Sequence, residues 1–309
     1  MSPRRRALDR TFSAFAWLSA VFTVGAVLSV FVFVAREATP ALRPSRGMPS
    51  PRVLIAPCTP SDGGPRAFTW QPVGRHPKFN VVPLVVGSVK VASLALLLAG
   101  PLGVAAACAL AFLVGRTMRR WLKPFVELLA GVPSVVLGYL ALTVLAGWIQ
   151  SLTGSRYRLN ALVAAVGVAL AITPWIVTLT DEALRAVPRE MLEGACALGA
   201  SRAQMILGVA WPVARPAVMA ALLLAFGRAV GETMIVLMAS GNAPVLRLAD
   251  PTSSARTLTA TIAAELGEVA DGSFHRAVLF LLGAMLFLVT LALNTAAERM
   301  VSRAARRVS

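Results

Sequence analysis

The chain has little of what a water-soluble enzyme is built from. Charged residues make up only 14% of its 309 positions, against 57% hydrophobic, which is too little polar surface for a soluble domain of this length. Histidine occurs twice, as His76 and His275, and no nucleophile–base pair is suggested around either. Lysine occurs three times, and Lys78, Lys90 and Lys123 follow Pro, Val and Leu. A phosphate-binding P-loop needs Gly-Lys-Ser/Thr after a glycine turn, so any ATP hydrolysis that serves this chain is expected on another one. The three cysteines, Cys58, Cys108 and Cys196, have no metal-ligand spacing and no two are obviously placed to pair. No catalytic residue, metal site or cofactor is therefore expected. Acidic residues are scarce too, 14 against 30 Lys/Arg, for a formal charge of +16. The arginines cluster beside apolar runs and form no stripe interleaved with aromatics, so the excess is read as positive flanks of membrane spans, with no nucleic-acid partner.

What the sequence has in quantity is long apolar runs. A bilayer core of roughly 30 Å takes about 20 apolar residues in a helix, and runs of that kind recur along the chain. A β-barrel would instead show alternating segments of about 10 residues. The runs predict an all-α membrane protein with six transmembrane helices, at about 12–35, 81–113, 126–149, 159–179, 212–238 and 277–296. The first is too long for the apolar region of a signal peptide, which spans about 7–15 residues. It follows a short cytoplasmic N-terminus, 1–11, that carries Arg4, Arg5, Arg6 and Arg10. Residues 36–80, rich in Pro, Arg and Gly, read as an external loop, and 298–309 as a cytoplasmic tail. The second run exceeds the bilayer at 1.5 Å per residue, so a tilt or a kink at Gly100-Pro101 is expected. The third contains the interruption Gly131-Val132-Pro133-Ser134. Arginine and lysine are denser in the segments read as internal, which places both termini in the cytoplasm.

Two stretches stand out as functional. The segment EMLEGACALGASRAQMILGVAWPVARP, Glu190 to Pro216, begins in the charged loop 181–212 and runs into the fifth span. It predicts a helix over Met191–Leu198, a glycine stop at Gly199 and a second short helix ending before Pro212. Glu193, Ala195, Gly199 and Pro212 fall at the spacing E-x-A-x3-G-x12-P. Small residues there let another protein surface approach closely; the plainer reading is a hairpin that only joins two spans. The spacing resembles the EAA loop of ABC importer permeases, whose short helices dock into a cleft of the ATP-binding subunit. Gly194 and Trp211 stand where that family more often has Ala and Leu. By this resemblance Glu193, Ala195, Gly199 and Pro212 belong to the ATPase coupling segment.

The second stretch is LAFGRAVGETMIVLMASGNAP, Leu224 to Pro244, which begins in the fifth span and runs just past its end. Arg228 and Glu232 lie four apart, so on a continuous helix they share a face and can pair. Counted from Pro212, Arg228 is about 24 Å along such a helix, past the middle of the bilayer. Ionisable groups there are costly and usually face a bundle interior or a water-filled path; a pair that merely locks neighbouring helices is the alternative. Lys90, near the outer end of the second span, either snorkels to the interface or adds positive potential.

GRAVGETMIVLMASGNAP resembles the signature of the PstC-type permeases of bacterial phosphate ABC importers. So do WQPVGRHPKFNVVPLVVGSVKVA (Trp70 to Ala92), ELLAGVPSVVLGY (Glu127 to Tyr139), RTLTATIAAELGE (Arg256 to Glu268) and FHRAVLFLLGAMLFLVTLALN (Phe274 to Asn294). The resemblance implies a type I importer permease of MetI-like architecture with its core at 81–297, in the bacterial inner membrane. It also implies a second permease of PstA type, a PstB-type ATP-binding dimer and a PstS-type phosphate-binding protein, periplasmic or lipid-anchored, as partners. Arg228 and Glu232 take the place of the residues thought to touch the translocated anion. A guanidinium suits multi-oxygen recognition of phosphate. A permease for another oxyanion or small nutrient shares the EAA loop but not the GRAVGET stretch, and a channel or secondary transporter leaves the EAA spacing unexplained.

Overall fold

The computed structural model describes residues 3–43, 49–57, 68–244 and 246–308, most of them helical. Cys58 and the linker stretches 44–48 and 58–67 lie outside the described residues. Helix α1 runs Pro3–Leu42, and a short antiparallel hairpin then pairs β1 (Trp70–Gln71) with β2 (Lys78–Phe79). The next helices are α2 (Val82–Cys108), α3 (Arg116–Ala130), α4 (Ser134–Leu140), α5 (Ala146–Thr153) and α6 (Ala161–Arg185). They are followed by α7 (Arg189–Ala197), α8 (Arg202–Met205), α9 (Trp211–Gly231), α10 (Met234–Ala239), α11 (Leu258–Glu265) and α12 (Phe274–Val308). π-Helical turns at Ala109–Leu113, Ala141–Leu145 and Ile206–Ala210 extend α2 and join α4 to α5 and α8 to α9.

Among the described residues six helical stretches are long and apolar enough to cross a membrane: Phe12–Leu42, Val82–Leu113, Ser134–Thr153, Ala161–Arg185, Arg202–Gly231 and Phe274–Ser302. The all-α, six-span fold is the expected one. At its centre stands α6, packed against α2 and α9, with Ala164, Ala165, Val168, Ile172 and Ile176 buried. Lipid tails are as apolar as leucine, so helices in a membrane gain from close packing over small residues. Here Ala92, Ala95 and Ala99 of α2 are buried, and a Cβ added to Gly103 would stand 2.7 Å from Ile176 Cγ2. On the periphery, α12 packs on α9 and α1 packs on α12, with the Phe31 and Phe287 rings 3.8 Å apart and Phe33 edge-on to Phe280 at 5.5 Å.

The span boundaries shift where charge or backbone geometry overrides hydropathy. The third span starts at Ser134, because the Gly131–Pro133 interruption separates it from α3, a distinct amphipathic helix. The fourth continues past Leu179 to Arg185, since Asp181 is buried against three cations and so tolerates a helix interior. No break occurs at Gly100-Pro101; α2 stays helical through Pro101, and the chain leaves the helix only at Val114 (ψ 131°). Nor does a helix end before Pro212. The carbonyl that its ring would strike, that of Gly208, lies in the Ile206–Ala210 π-helical turn, and the helix runs from Arg202 to Gly231. At the other end, α1 continues to Leu42, seven residues into the expected loop.

Residues 240–273 are more than a connection. Ser253, Ala255, Thr257, Thr259 and Thr261 are buried, and the segment is stitched into the bundle. Leu258 N–H donates to Ser88 Oγ (3.0 Å), while Ala161 and Leu162 N–H donate to the carbonyls of Ser253 (3.0 Å) and Pro251 (2.9 Å). The latter two occupy donors that the first turn of α6 cannot satisfy internally. A second clamp centres on Glu265. Its carboxylate accepts from Trp70 Nε1 (3.1 Å), pairs with Arg256 and lies 2.8 Å from His275 Nε2, tying the hairpin and α11 to the start of α12.

Candidate functional site

Two places carry the residues singled out in the sequence. The first is the α7–α8 hairpin, where Glu193 and Ala195 lie on α7 and Gly199 ends it in the left-handed conformation, φ +82°. Gly199 N–H donates to Cys196 O (3.0 Å) and Ala200 N–H to Ala195 O (3.1 Å), a Schellman termination that favours glycine at this position. Ser201 then caps α8 in a reciprocal box with Gln204. Glu193, Gly194 and Gly199 are exposed, and a Cβ at either glycine would meet nothing within 4 Å. Leu198, 91% exposed at the tip, is a large apolar group without cover in the isolated chain. Pro212 does not join this cluster; it sits at the second position of α9.

The second place is the end of α9. The helix does not carry through Arg228 and Glu232 as one face: it ends at Gly231, Glu232 is extended (φ −68°, ψ 130°), and α10 begins at Met234. The expected four-residue pair is therefore not made, and no ion pair joins Arg228 to Glu232 among the described residues. Glu232 turns to the next helix instead. Its Oε1 accepts from the N–H groups of Thr233 (3.2 Å) and Ile235 (3.4 Å), capping α10, and its carbonyl accepts from Thr259 Oγ1 (2.8 Å).

Both side chains nevertheless line one cavity of about 230 Å³, with Ser134, Val132, Leu129 and Ala171. Arg228 also borders a second space, of about 380 Å³, together with Trp175, Thr290 and Asn294. Its guanidinium lies over the Trp175 ring, 4.7 Å from the centroid, an arrangement that steadies a cation while leaving its N–H edges free. A guanidinium with no ion-pair partner among the described residues, set between two cavities in an apolar bundle, is an anion-attracting group. Trp175 was not legible as its partner, because the contact runs from α6 to α9 and depends on how the two helices pack.

Lys90 does not snorkel. It is 5% exposed, and its three ammonium donors meet three acceptors: the carbonyls of Arg247 (2.9 Å) and Asp250 and Ser253 Oγ (2.7 Å). It pins the 240–257 segment to α2. The Asp250 carboxyl is held below its ordinary range, chiefly by the Thr252 hydroxyl, with smaller help from the Thr252 N–H and the charges of Lys90 and Arg247.

Residues 99–309 match the model of the family described as binding-protein-dependent transport system inner membrane component. The chain is 35% identical over 224 residues to a probable ABC transporter permease protein, YqgH, of Bacillus subtilis, covering 72% of each. It is 33% identical over 254 residues to the phosphate transport system permease protein PstC of Mesorhizobium japonicum, covering 76% of each. The chain belongs to the PstC-type permease family. Its fold matches that of a bacterial alginate ABC transporter chain with a TM-score of 0.63, at 14% identity and over 97% of this chain and 96% of that one. This PstC-type permease is thus a multi-pass pore-forming subunit with the type I ABC importer fold, and all of its candidate site residues fall inside the family-matched region.

Proposed function

We propose that this permease forms half of the pore of an importer for inorganic phosphate, with Arg228 and Glu232 at the translocated ion. The observation that carries the reading is the unpaired Arg228 guanidinium, set over Trp175 at the α9–α10 break between two cavities. A guanidinium fork meets two phosphate oxygens at once, which a point charge does not. Glu232 supplies the opposing action. When its carboxylate leaves the α10 cap and closes on Arg228, it displaces the anion, so the two residues exchange between holding and release. The similarity to PstC proteins supports phosphate as the cargo.

On this reading the other half of the pore is a PstA-type permease, the energy comes from a PstB-type ATPase dimer, and a PstS-type protein delivers phosphate. The exposed α7–α8 hairpin, with Glu193, Ala195 and Gly199, docks in the ATPase, and Leu198 is the apolar group buried on docking. Pro212 acts at a distance, by placing the π-helical turn at the base of that hairpin. The α7–α8 hairpin and both ends of the bundle's chain face the cytoplasm, and the β1–β2 hairpin and residues 246–273 face outward across the inner membrane.

The test is phosphate uptake into proteoliposomes holding the assembled importer. Arg228→Gln is expected to assemble, keep basal ATP hydrolysis and lose uptake. Sulfate or molybdate inhibiting as well as phosphate would move the cargo to another oxyanion and leave the rest of the reading intact.

A further inference from the structure

A third polar cluster lies where α2 and α6 end, on α3. Leu122 and Val126 of α3 pack on the buried group that includes Ala107, Leu110, Leu184 and Val218. A neighbouring side, about 100° round the helix, presents Met118, Trp121, Phe125 and Leu128, spaced three, four and three residues apart and all exposed, Trp121 at 77%. Such a stripe is one continuous face of a helix. On the side of α3 turned away from this stripe, a cavity of about 400 Å³ is bordered by Arg116, Arg119, Arg120, Lys123 and Arg185, with Glu127. Asp181 anchors three of these cations. Its side chain is 2% exposed, and Arg119 (2.5 Å), Arg185 (3.1 Å) and Lys123 (3.7 Å) converge on it.

One buried carboxylate thus orients three cations, and Arg116 and Arg120 add two that have no ion-pair partner among the described residues. Five cations against Asp181 and Glu127 leave the pocket net positive. Two spans end here, so the pocket is at the depth of the lipid headgroups, beside an exposed tryptophan of the kind that favours that layer.

We propose that this pocket binds the phosphate headgroup of an anionic phospholipid, at a helix that the Met118–Leu128 stripe sets into the acyl-chain boundary of the same leaflet. A basic pocket beside span ends fits such a headgroup, and an amphipathic helix with a basic face and a Trp/Phe/Leu face lies in the membrane interface. A free phosphate ion offers the same anionic oxygens but has no reason to concentrate at the membrane boundary where the stripe holds α3. The assignment is independent of which ion the pore carries. It also ties the lipid to the coupling end of the molecule, because Arg185 closes α6 four residues before α7 begins.

The test uses the full-length permease in detergent and in nanodiscs. Native mass spectrometry is expected to find phosphatidylglycerol or cardiolipin retained over phosphatidylcholine, and the retention should survive millimolar inorganic phosphate. Arg116→Gln with Arg120→Gln keeps all three partners of Asp181, so the fold and its thermal unfolding temperature should stay unchanged while anionic-lipid retention falls by about tenfold or more. Brominated phosphatidylglycerol should quench tryptophan emission, and Trp121→Phe should remove part of that quenching. Equal retention of phosphatidylcholine, unchanged retention in the double variant, or full displacement by inorganic phosphate would overturn the assignment. So would a Trp121 that brominated lipid cannot reach in the assembled importer, which would give this face to a partner subunit.

Discussion

Arg228 and Lys90 are both cations inside the bundle, and their surroundings give them opposite roles. Lys90 has a full set of acceptors and nothing left to offer a ligand. Arg228 rests on an aromatic face and keeps its donors free. Truncating the two therefore has different consequences. Lys90→Met strands two carbonyls and a hydroxyl, at about 1–3 kcal/mol for each that water cannot reach. It should insert normally but unfold at a lower temperature, and an unchanged midpoint would show that the 240–257 segment is held by other contacts. Arg228→Gln should leave the midpoint nearly unchanged and abolish phosphate uptake, with Arg228→Lys impaired as well because it lacks the planar fork. Normal uptake by a stably assembled Arg228→Gln importer would falsify the translocation role. Glu232→Gln separates two functions of one side chain: it keeps the Oε1 acceptor that caps α10 and removes only the charge. Uptake should slow while stability holds; Glu232→Ala should lose the cap too, at about 1 kcal/mol.

At the level of elements, the break after Gly231 and the turn at Gly199 both depend on the backbone leaving the helix. A valine at 199 forces a β-branched residue into the left-handed region, at a cost of roughly 1–2 kcal/mol. Asparagine tolerates that region far better. Gly199→Val is therefore expected to insert and fold yet release the ATPase subunit during purification, whereas Gly199→Asn should retain it. Equal ATPase yield from both, with normal ATP-driven uptake, would reduce the hairpin to a simple connector. The hairpin protrudes with Leu198 bare at its tip, so Leu198→Ser should weaken the same association without disturbing either helix.

For the whole molecule, the proposed orientation is open to a direct check. Cys196 is exposed on α7 and Cys108 is half-buried in α2. With Cys58 and Cys108 replaced by serine, the remaining thiol should be untouched by an impermeant maleimide applied to intact cells and labelled in inverted membrane vesicles. Labelling from outside would invert the bundle and detach the hairpin from any cytoplasmic ATPase. Apolar cover is uneven among the described residues: α6 is enclosed by its neighbours, while much of α1 outside its α12 contact and the stripe on α3 stay exposed. That distribution suits a subunit whose surface is shared between lipid and partner chains.

Hydropathy alone determined the number of spans and the all-α class, because crossing hydrocarbon requires an uninterrupted apolar helix whatever its neighbours are. Spacing alone placed the Gly199 stop, since a left-handed turn selects for glycine by local sterics. Pairing was not local, and here the sequence ran out. Arg228 and Glu232 sit four apart in the chain but on two sides of a helix break, and Glu232 spends its carboxylate on the next helix. Lys90 finds its acceptors some 160 positions away, Asp181 draws Arg119 and Lys123 from another helix, and Trp175 comes to Arg228 across the α6–α9 contact. The cost of an unsatisfied charge in an apolar interior says only that each must have a partner. Which partner is decided by the packing of the helices, and that exists only in the folded chain.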